Sequence, residues 1–225
     1  MRTVIMAGGE INDWRAGSSY LRTADFIVAA DGGAQHVLRM GFTPHVVIGD
    51  MDSLTQEQVE RLKRAGCRFL TYPTRKNETD AELALLYAVE QGADQIIILG
   101  ASGGRIDHTL ANVLLLTLPE LKGVQVSLVD GQQEVILIRG EGTIRGQVGD
   151  SVSLLPLAGD AEGITSSGLE YTLDDDTLMF GRTRGVSNTL TAPTAHIRLR
   201  KGVLLCVHSY RRDDPHCRSK EEEVI

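Results

Sequence analysis

The first 130 residues alternate short apolar runs with segments of helical spacing. Six runs rich in β-branched and aliphatic residues have this character: TVIMAG, FIVAAD, HVVIGD, CRFLTYP, QIIILGA and VQVSLVD. They lack the apolar-polar alternation of a half-exposed strand, which is typical of parallel strands covered on both faces. The pattern therefore predicts an α/β domain over residues 1–130, with an internal parallel sheet and crossover helices.

The segments between these runs carry helix-start patterns. Thr55 with Gln58, and Thr79 with Glu82, have the S/T-x-x-E/Q spacing of a capping box. The segment after Thr55 has a narrow apolar stripe among charged residues, which predicts a surface helix. Residues 81–89 and 110–118 are apolar at nearly every position, so we expect well-buried helices there.

From about residue 131 the pattern changes to short runs separated by glycine-rich or acidic turns. Examples are EVILIRG, SVSLLPL, HIRLRKG and VLLCVHS. This pattern predicts an all-β domain over residues 131–210, either a sandwich or a barrel. The dense charge of residues 211–225 predicts a solvated C-terminal tail, with a partner-binding segment as the alternative.

Composition excludes several classes of function. The chain has 23 Lys and Arg against 30 Asp and Glu, a net charge of -7, so it lacks the basic surface of a nucleic-acid-binding protein. Its longest apolar stretch falls far short of the ~20 residues that a membrane span needs. Three widely spaced cysteines without a Cys-x-x-Cys pair favour a reducing cytoplasm over a disulfide or zinc framework.

Glycine-rich and polar runs follow four of the predicted strands, where ligands bind in an open parallel sheet. These runs are Ala7-Gly8-Gly9, Asp31-Gly32-Gly33, Gly49 to Ser53, and Gly100 to Arg105. The glycine pairs are explained either by tight turns or by close approach of a nucleotide. The chain has neither a G-x-x-x-x-G-K-[ST] nor a G-x-G-x-x-G motif, which disfavours a P-loop enzyme and a dinucleotide oxidoreductase.

Asp50 and Asp52 follow the third predicted strand. Residues two apart at a strand end project to the same side, and two nearby carboxylates repel each other unless a cation lies between them. Oxygen ligands of this kind suit Mg²⁺ that holds a substrate phosphate. The alternative is that Asp52 or Ser53 simply starts the next helix, but the position after a buried strand favours a metal site.

Asp80 stands at the start of a predicted helix, where the helix dipole alone favours a carboxylate. The polar, basic loop before it offers a second explanation, since it would bring Lys76 to a phosphate and Asp80 to the same metal.

The segment from Ser102 to His108 combines a flexible turn, the guanidinium group of Arg105 and polar residues at a helix start. A guanidinium group binds phosphate in a bidentate manner. The alternative is a plain turn with Asp107 as the cap and Arg105 in solvent. Three phosphate-handling features in one segment favour function, although His108 by itself is better explained as a structural hydrogen bonder.

Several motifs in order resemble one enzyme family. DGGAQHVLRMGFTPHVVIGDMDSL, YPTRKNETDAELAL and ILGASGGRIDHTLANVLLL resemble the catalytic domain of thiamine pyrophosphokinases. GDSVSLLPL, GLEYTL and GVSNTL resemble the thiamine-binding β domain of that family. The resemblance covers nearly the whole chain up to about Ser209.

The resemblance implies a Rossmann-like α/β catalytic domain followed by a β-sandwich. It also implies a homodimer whose active sites lie where the catalytic domain of one subunit meets the sandwich of the other. The implied reaction is magnesium-dependent transfer of pyrophosphate from ATP to thiamine, giving AMP and thiamine diphosphate.

The resemblance assigns roles to residues by motif. The magnesium ligands would be Asp50, Asp52 and Asp80. The nucleotide and phosphate site would be lined by Asp31, Gly32, Ser102, Gly103, Arg105, Asp107 and His108. The segments that resemble thiamine-contacting ones contain Tyr171, Ser187 and Asn188.

The residues are consistent with an in-line attack of a primary hydroxyl on the β-phosphorus. Lys76 and Arg105 would stabilise charge on the phosphoryl oxygens, and Asp80 and Asp107 are both candidates for accepting the hydroxyl proton.

Two other functions compete with this one. A metal-dependent glycosyl or nucleotidyl transferase also uses a D-x-D at a strand end, and a non-catalytic nucleotide or thiamine sensor would bind without turnover.

Overall fold

The computed structural model describes residues 1–73 and 76–211. The chain divides into two compact units, Met1–Gly131 and a second unit that begins at Gln132. Apart from Arg211, the predicted charged tail lies outside the described residues, and so do two residues of the loop before Asp80.

All six predicted runs of the first unit form strands. They are β1 (Arg2–Met6), β2 (Phe26–Ala30), β3 (Val46–Gly49), β4 (Arg68–Thr71), β5 (Gln95–Leu99) and β6 (Gln125–Asp130). Their order across the sheet is β6-β5-β1-β2-β3-β4, and all neighbours are parallel. The α/β prediction is therefore confirmed. The strand order reverses direction between β1 and β5, which opens a crevice at their carboxyl ends.

The helices of this unit are α1 (Trp14–Arg22), α2 (Gly33–Arg39), α3 (Gln56–Arg64), α4 (Asp80–Glu90) and α5 (Ile106–Leu115). The predicted capping box of α3 is complete, since Gln58 and Thr55 each accept a hydrogen bond from the backbone N–H of the other. For α4, the described residues show one half of the predicted capping box, in which the hydroxyl of Thr79 accepts a hydrogen bond from the backbone N–H of Glu82 at 3.2 Å. Within the described ranges, no helix combines the length and apolar character that crossing a membrane requires.

The expectation of a well-buried helix at residues 110–118 is wrong for one face of α5. Ile106, Leu110 and Leu114 are 75%, 58% and 53% exposed and follow one another at four-residue intervals. Residues four apart lie on the same side of a helix, so they form a continuous apolar stripe. The opposite face carries the buried Asn112, whose amide donates to the carbonyl of Ala101 at 2.8 Å. Leucines occupy both faces of α5, so hydropathy alone predicts burial all round.

Over its described residues, 132–211, the second unit consists of β-strands and loops. Its strands are β7 (Gln133–Ile138), β8 (Glu141–Arg145), β9 (Ser151–Pro156), β10 (Ala161–Ser167), β11 (Asp176–Leu178), β12 (Asn188–Thr189), β13 (Thr194–Arg198) and β14 (Leu204–Ser209). They lie in the orders β12-β9-β14-β7 and β11-β10-β13-β8, with antiparallel neighbours. Apolar side chains from both sets, such as Leu154 and Ile197, share one core. The arrangement is a sandwich, as the resemblance implies.

A buried carboxylate fixes one turn of the sandwich. Asp150 is fully buried, and its Oδ2 accepts the N–H of Gln147 at 2.9 Å and lies 3.0 Å from Nε2 of His208. Its Oδ1 accepts the N–H of Arg211 at 3.1 Å. Glycine is required at position 146, because a methyl group there would collide with the Asp150 carboxylate and the His208 ring. Asp150 thus ties the turn before β9 to the end of β14.

Candidate active site

A cleft of about 800 Å³ lies in the first unit at the carboxyl ends of its strands. The loops after β1, β2 and β5 line it, together with the first turns of α4 and α5. This is the position where the reversal of strand order predicts a ligand site, and the volume is within the range of small-molecule pockets.

Glycines let the backbones of three loops pack directly on one another at the base of the cleft. A methyl group at Gly9 would collide with the carbonyls of Gly100 and Ser102, and one at Gly33 would collide with the carbonyl of Met6. The N–H of Gly9 donates to the carbonyl of Gly100 at 2.8 Å. The glycine runs predicted at separate strand ends therefore form one continuous floor, where a ligand can approach the backbone closely.

Three carboxylates meet beside this floor. Asp31, Asp50 and Asp52 each offer an oxygen, and these oxygens lie within 4.8 Å of one another. The hydroxyl of Ser53 donates to Oδ2 of Asp31 at 2.6 Å and lies 3.2 Å from Oδ1 of Asp52. The other oxygen of Asp31, Oδ1, is buried and has no hydrogen-bond partner within residues 1–73 and 76–211. We call Asp31, Asp50 and Asp52 the acidic cluster.

The structure also tests the alternative explanation of Asp52. Helix α3 is capped by Thr55, three residues after Asp52, and Ser53 is hydrogen-bonded to Asp31 instead of to the helix. Neither Asp52 nor Ser53 therefore serves as the N-cap. The interpretation of Asp52 as a simple helix start is wrong.

The backbone at the acidic cluster is strained. Asp31 and Met51 have φ angles of 42° and 65°, in the left-handed region that side chains other than glycine rarely adopt. Such residues cost on the order of 1 kcal/mol each and concentrate at functional sites. Here the strained turns follow β2 and β3, at the point where the three carboxylates meet.

Asp80, the first residue of α4, lies beside the acidic cluster. A methyl group built at Gly49 would be 3.1 Å from Cβ of Asp31 and 3.3 Å from Cγ of Asp80, so both side chains border the end of β3. Asp80 forms an ion pair with Lys76, and both side chains are largely buried. The ammonium group of Lys76 also lies 5.5 Å from the centre of the Tyr72 ring. The structure thus places Lys76 and Asp80, the third predicted metal ligand, together next to the acidic cluster.

Arg105 and Asp107 form an exposed bidentate pair at the start of α5. Nη2 of Arg105 donates to Oδ2 of Asp107 at 2.6 Å, and Nε donates to Oδ1 at 3.2 Å. These hydrogen bonds hold the pKa of Asp107 below its ordinary value. Arg105 and His108 line the cleft, as do Gly32, Ser102 and Gly103 of the predicted nucleotide site.

Two residues that were not predicted from the sequence, Asn12 and Asp130, support the cleft wall. Asp130 ends β6 and accepts hydrogen bonds from the hydroxyl of Ser102 and, at 2.8 Å, from Nδ2 of Asn12. Both of these partners line the cleft. Asp130 resembles Asp31 and Asp50 in following a buried strand, and that position was the available indication in the sequence.

The three residues expected to contact thiamine lie together in the second unit. The N–H of Tyr171 donates to Oδ1 of Asn188 at 3.0 Å, and Nδ2 of Asn188 donates to the carbonyl of Tyr171 at 2.7 Å. Ser187 has a φ angle of 61°, and its N–H donates to the hydroxyl of Ser153 at 3.0 Å. The ring of Tyr171 is exposed, so it is available for stacking on a ligand.

Comparison with known proteins gives consistent matches over both units. Residues 18–128 match the family model of the thiamin pyrophosphokinase catalytic domain, and residues 141–204 match that of the thiamin pyrophosphokinase vitamin B1 binding domain. The chain is 30% identical over 212 residues to the thiamine pyrophosphokinase of Bacillus subtilis, which covers 93% of this chain and 99% of that relative.

Solved structures agree with these matches. The crystal structure of thiamine pyrophosphokinase from Bacillus subtilis has a TM-score of 0.82 at 27% identity, over 93% of this chain and 99% of that one. The crystal structure of thiamin pyrophosphokinase from Geobacillus thermodenitrificans has a TM-score of 0.79 at 29% identity, over 95% of this chain and 99% of that one. The acidic cluster lies within the first matched segment, and Tyr171, Ser187 and Asn188 lie within the second.

Proposed function

Because the chain belongs to the thiamine pyrophosphokinase family and is a pyrophosphoryl transferase of that type, we propose how its own residues carry out the reaction. The protein transfers the pyrophosphoryl group of ATP to the hydroxyl of thiamine, giving AMP and thiamine diphosphate. One observation carries this proposal: the acidic cluster lies beside a cleft of about 800 Å³ that Asp31, Asp80 and Arg105 line.

The donor set of the acidic cluster suits Mg²⁺. Its carboxylate oxygens are hard ligands, and the buried Oδ1 of Asp31 is a negatively charged atom that a cation would satisfy. Asp50, Asp52 and Asp80 would hold the ion, with Asp31 beside them. When bound, Mg²⁺ neutralises charge on the phosphate oxygens of the nucleotide.

Lys76 and Arg105 supply positive charge around the transferred group. The ammonium group of Lys76 is a point charge that Asp80 fixes beside the acidic cluster. The guanidinium group of Arg105 has a planar fork that already binds one carboxylate in a bidentate manner and would bind two phosphoryl oxygens in the same way. Both groups would stabilise charge that develops during transfer.

Asp80 is better placed than Asp107 to accept the proton of the attacking hydroxyl. Both carboxylates are paired with a cation, but Asp80 lines the cleft, whereas the exposed Asp107 does not. Proton transfer requires direct contact or a bridging water, and Asp80 meets this condition for a hydroxyl that enters the cleft. Most of the catalysis would still come from positioning the hydroxyl in line with the β-phosphorus.

Thiamine would bind to the second unit, against Tyr171, Ser187 and Asn188. We also propose that the active protein is a homodimer in which the catalytic unit of one subunit and the sandwich of the other complete each active site. The exposed apolar stripe of α5 supports a dimer, because an apolar patch of this kind is typical of interaction surfaces.

A cytoplasmic location agrees with the thiols. Cys67 and Cys206 are free and buried. Burial raises the pKa of Cys67 to about 11 and that of Cys206 to about 12. Both are therefore neutral core thiols, as expected in a reducing compartment, and the third cysteine, Cys217, lies outside the described residues.

The test is a product assay on the purified protein with ATP, Mg²⁺ and thiamine, followed by chromatography. AMP and thiamine diphosphate should form in equal amounts, and omission of any one component, or addition of a chelator, should abolish both. ADP with thiamine monophosphate would contradict the proposed transfer, and release of pyrophosphate would indicate a nucleotidyl transferase instead.

A further inference from the structure

The single tryptophan of the chain, Trp14, lines the cleft. It is the first residue of α1, and Asp13 caps that helix by accepting the N–H groups of Arg15 and Ala16 at 3.0 and 2.9 Å. The indole is half-buried. A large aromatic ring that is only partly covered and faces a cleft is available to stack on a ligand.

Two side chains of α2 hold the indole in place. The guanidinium carbon of Arg39 lies 4.7 Å from the centre of the Trp14 ring, and the ring of His36 meets it edge-on at 5.5 Å. Nε2 of His36 lies 2.8 Å from the carbonyl oxygen of Gly9, which links this aromatic pair to the glycine floor of the cleft. The ring is therefore fixed relative to the floor, with one face covered by Arg39.

The cleft has two chemically different regions. Carboxylates line it where β2 ends and α4 begins, next to the acidic cluster, and this region suits a magnesium-bound polyphosphate. Where β1 leads into α1, the lining residues are Glu10, Ile11, Asn12 and Trp14, with His36 beside them, so a flat aromatic and apolar surface lies here among polar groups. A nucleoside triphosphate has the same division, with a charged end and a flat aromatic end.

We infer that the indole of Trp14 is the platform on which the base of the nucleotide substrate stacks, with Arg39 supporting the ring from behind. This inference rests on the proposed function for the identity of the nucleotide as a triphosphate. Stacking depends on the π-face that every base has, so a platform of this kind discriminates weakly among bases. The inference therefore predicts that ATP and GTP bind with similar affinity, while a polyphosphate without a base binds much more weakly.

The tryptophan fluorescence of the wild-type protein reports directly on base stacking at Trp14, because Trp14 is the only indole in the chain. We expect a saturable change in emission when AMP is added with Mg²⁺, and no change with Mg²⁺ and tripolyphosphate at concentrations where calorimetry shows that tripolyphosphate is bound. An unchanged spectrum with AMP, while calorimetry shows AMP binding, would overturn the inference.

Kinetics of two matched variants separate stacking from packing. Trp14→Phe keeps an aromatic face, whereas Trp14→Leu keeps apolar bulk without one. The KM for ATP should rise at least about tenfold in Trp14→Leu, as expected for a lost base stack, and no more than about threefold in Trp14→Phe. The KM for thiamine should stay within about twofold of the parent in both. Equal effects of the two substitutions would mean that the ring only fills space.

If Trp14→Leu does not fold, as judged by its thermal melt, the fluorescence titration and Trp14→Phe still decide the inference. Failure of the inference and failure of the proposed function are distinguishable. A protein that forms no thiamine diphosphate but shows the AMP-specific fluorescence change would contradict the function and support the platform. A protein that forms thiamine diphosphate with no fluorescence response to bound AMP would support the function and contradict the platform.

Discussion

Among single residues, Arg105 offers the most direct test of phosphate binding in the cleft. Arg105→Lys keeps the positive charge but loses the planar fork that now engages both oxygens of Asp107. We expect turnover to fall at least about tenfold, which corresponds to ~1.4 kcal/mol of lost transition-state stabilisation. Arg64→Lys, at an exposed arginine of α3, is the matched control and should leave turnover unchanged. Near-normal turnover of Arg105→Lys would place this side chain outside the site.

Asp52 tests the acidic cluster. Without a metal, the close carboxylates of Asp31, Asp50 and Asp52 repel one another, so Asp52→Asn should leave the metal-free protein at least as stable as the parent. Magnesium-dependent turnover should drop by orders of magnitude because a charged ligand is lost. Thermal melts with and without Mg²⁺, alongside the product assay, measure both effects.

Glu60→Gln removes an exposed carboxylate of α3 and should change neither the melting temperature nor the turnover. If Asp52→Asn kept most of its turnover, the metal-site assignment would be wrong. Loss of turnover together with a lower melting temperature in the absence of metal would indicate that Asp52 has a structural role instead.

Sequence reasoning predicted part of this candidate site because some of its residues are close in the chain. Asp50 and Asp52 are two apart, and the strand before them fixes their common direction. Asp31 joins them only because β2 and β3 are neighbours in the sheet, and the support of Ser102 by Asp130 depends on β5 lying beside β6. These last two contacts follow from the strand order, which a pattern of local runs does not contain.

At the scale of elements, strands were predicted best where all side chains of a strand are buried. The strands β1, β2, β3 and β5 are almost entirely buried, so their apolar runs were distinct, whereas the edge strand β4 is only half-buried. In the second unit, β8 (EGTIR) and β12 (NT) are short and polar, and their position in a sheet depends on partners distant in the sequence. The burial of α5 was predicted wrongly for a different reason. Its exposed face is as apolar as its covered face, so the sequence does not distinguish the two.

The exposed face of α5 gives a prediction about assembly. If a second subunit covers the stripe of Ile106, Leu110 and Leu114, Leu110→Glu should place a charge in that interface and leave the protein mainly monomeric at assay concentration. The melting temperature of the monomer should change little, because Leu110 is already exposed within one chain. Sedimentation velocity measures the first effect and a thermal melt the second.

Gln56→Glu introduces the same charge at an exposed polar position of α3 and should leave the parental assembly state intact. A dimeric Leu110→Glu protein would show that the stripe lies outside the interface. A parent protein that is fully active as a monomer would refute the homodimer itself.

For the whole molecule, the two reactants are assigned to different units. The candidate residues for nucleotide, phosphate and metal all lie within Met1–Gly131, while Tyr171, Ser187 and Asn188 lie in the second unit. Transfer requires the thiamine hydroxyl and the β-phosphorus to come within about 3–3.5 Å of each other. A dimer in which each subunit contributes one half of the site would satisfy this requirement, and this is why activity and assembly state should be measured on the same sample.

In the proposed reaction, the β- and γ-phosphates of ATP move to thiamine together. Two parallel reactions follow each phosphate separately, one with ATP labelled at the β-phosphorus and one with ATP labelled at the γ-phosphorus, each with Mg²⁺ and thiamine. We predict that both labels appear in thiamine diphosphate, each in one-to-one proportion to the AMP formed. Transfer of the γ label alone, with ADP as the second product, would contradict the account.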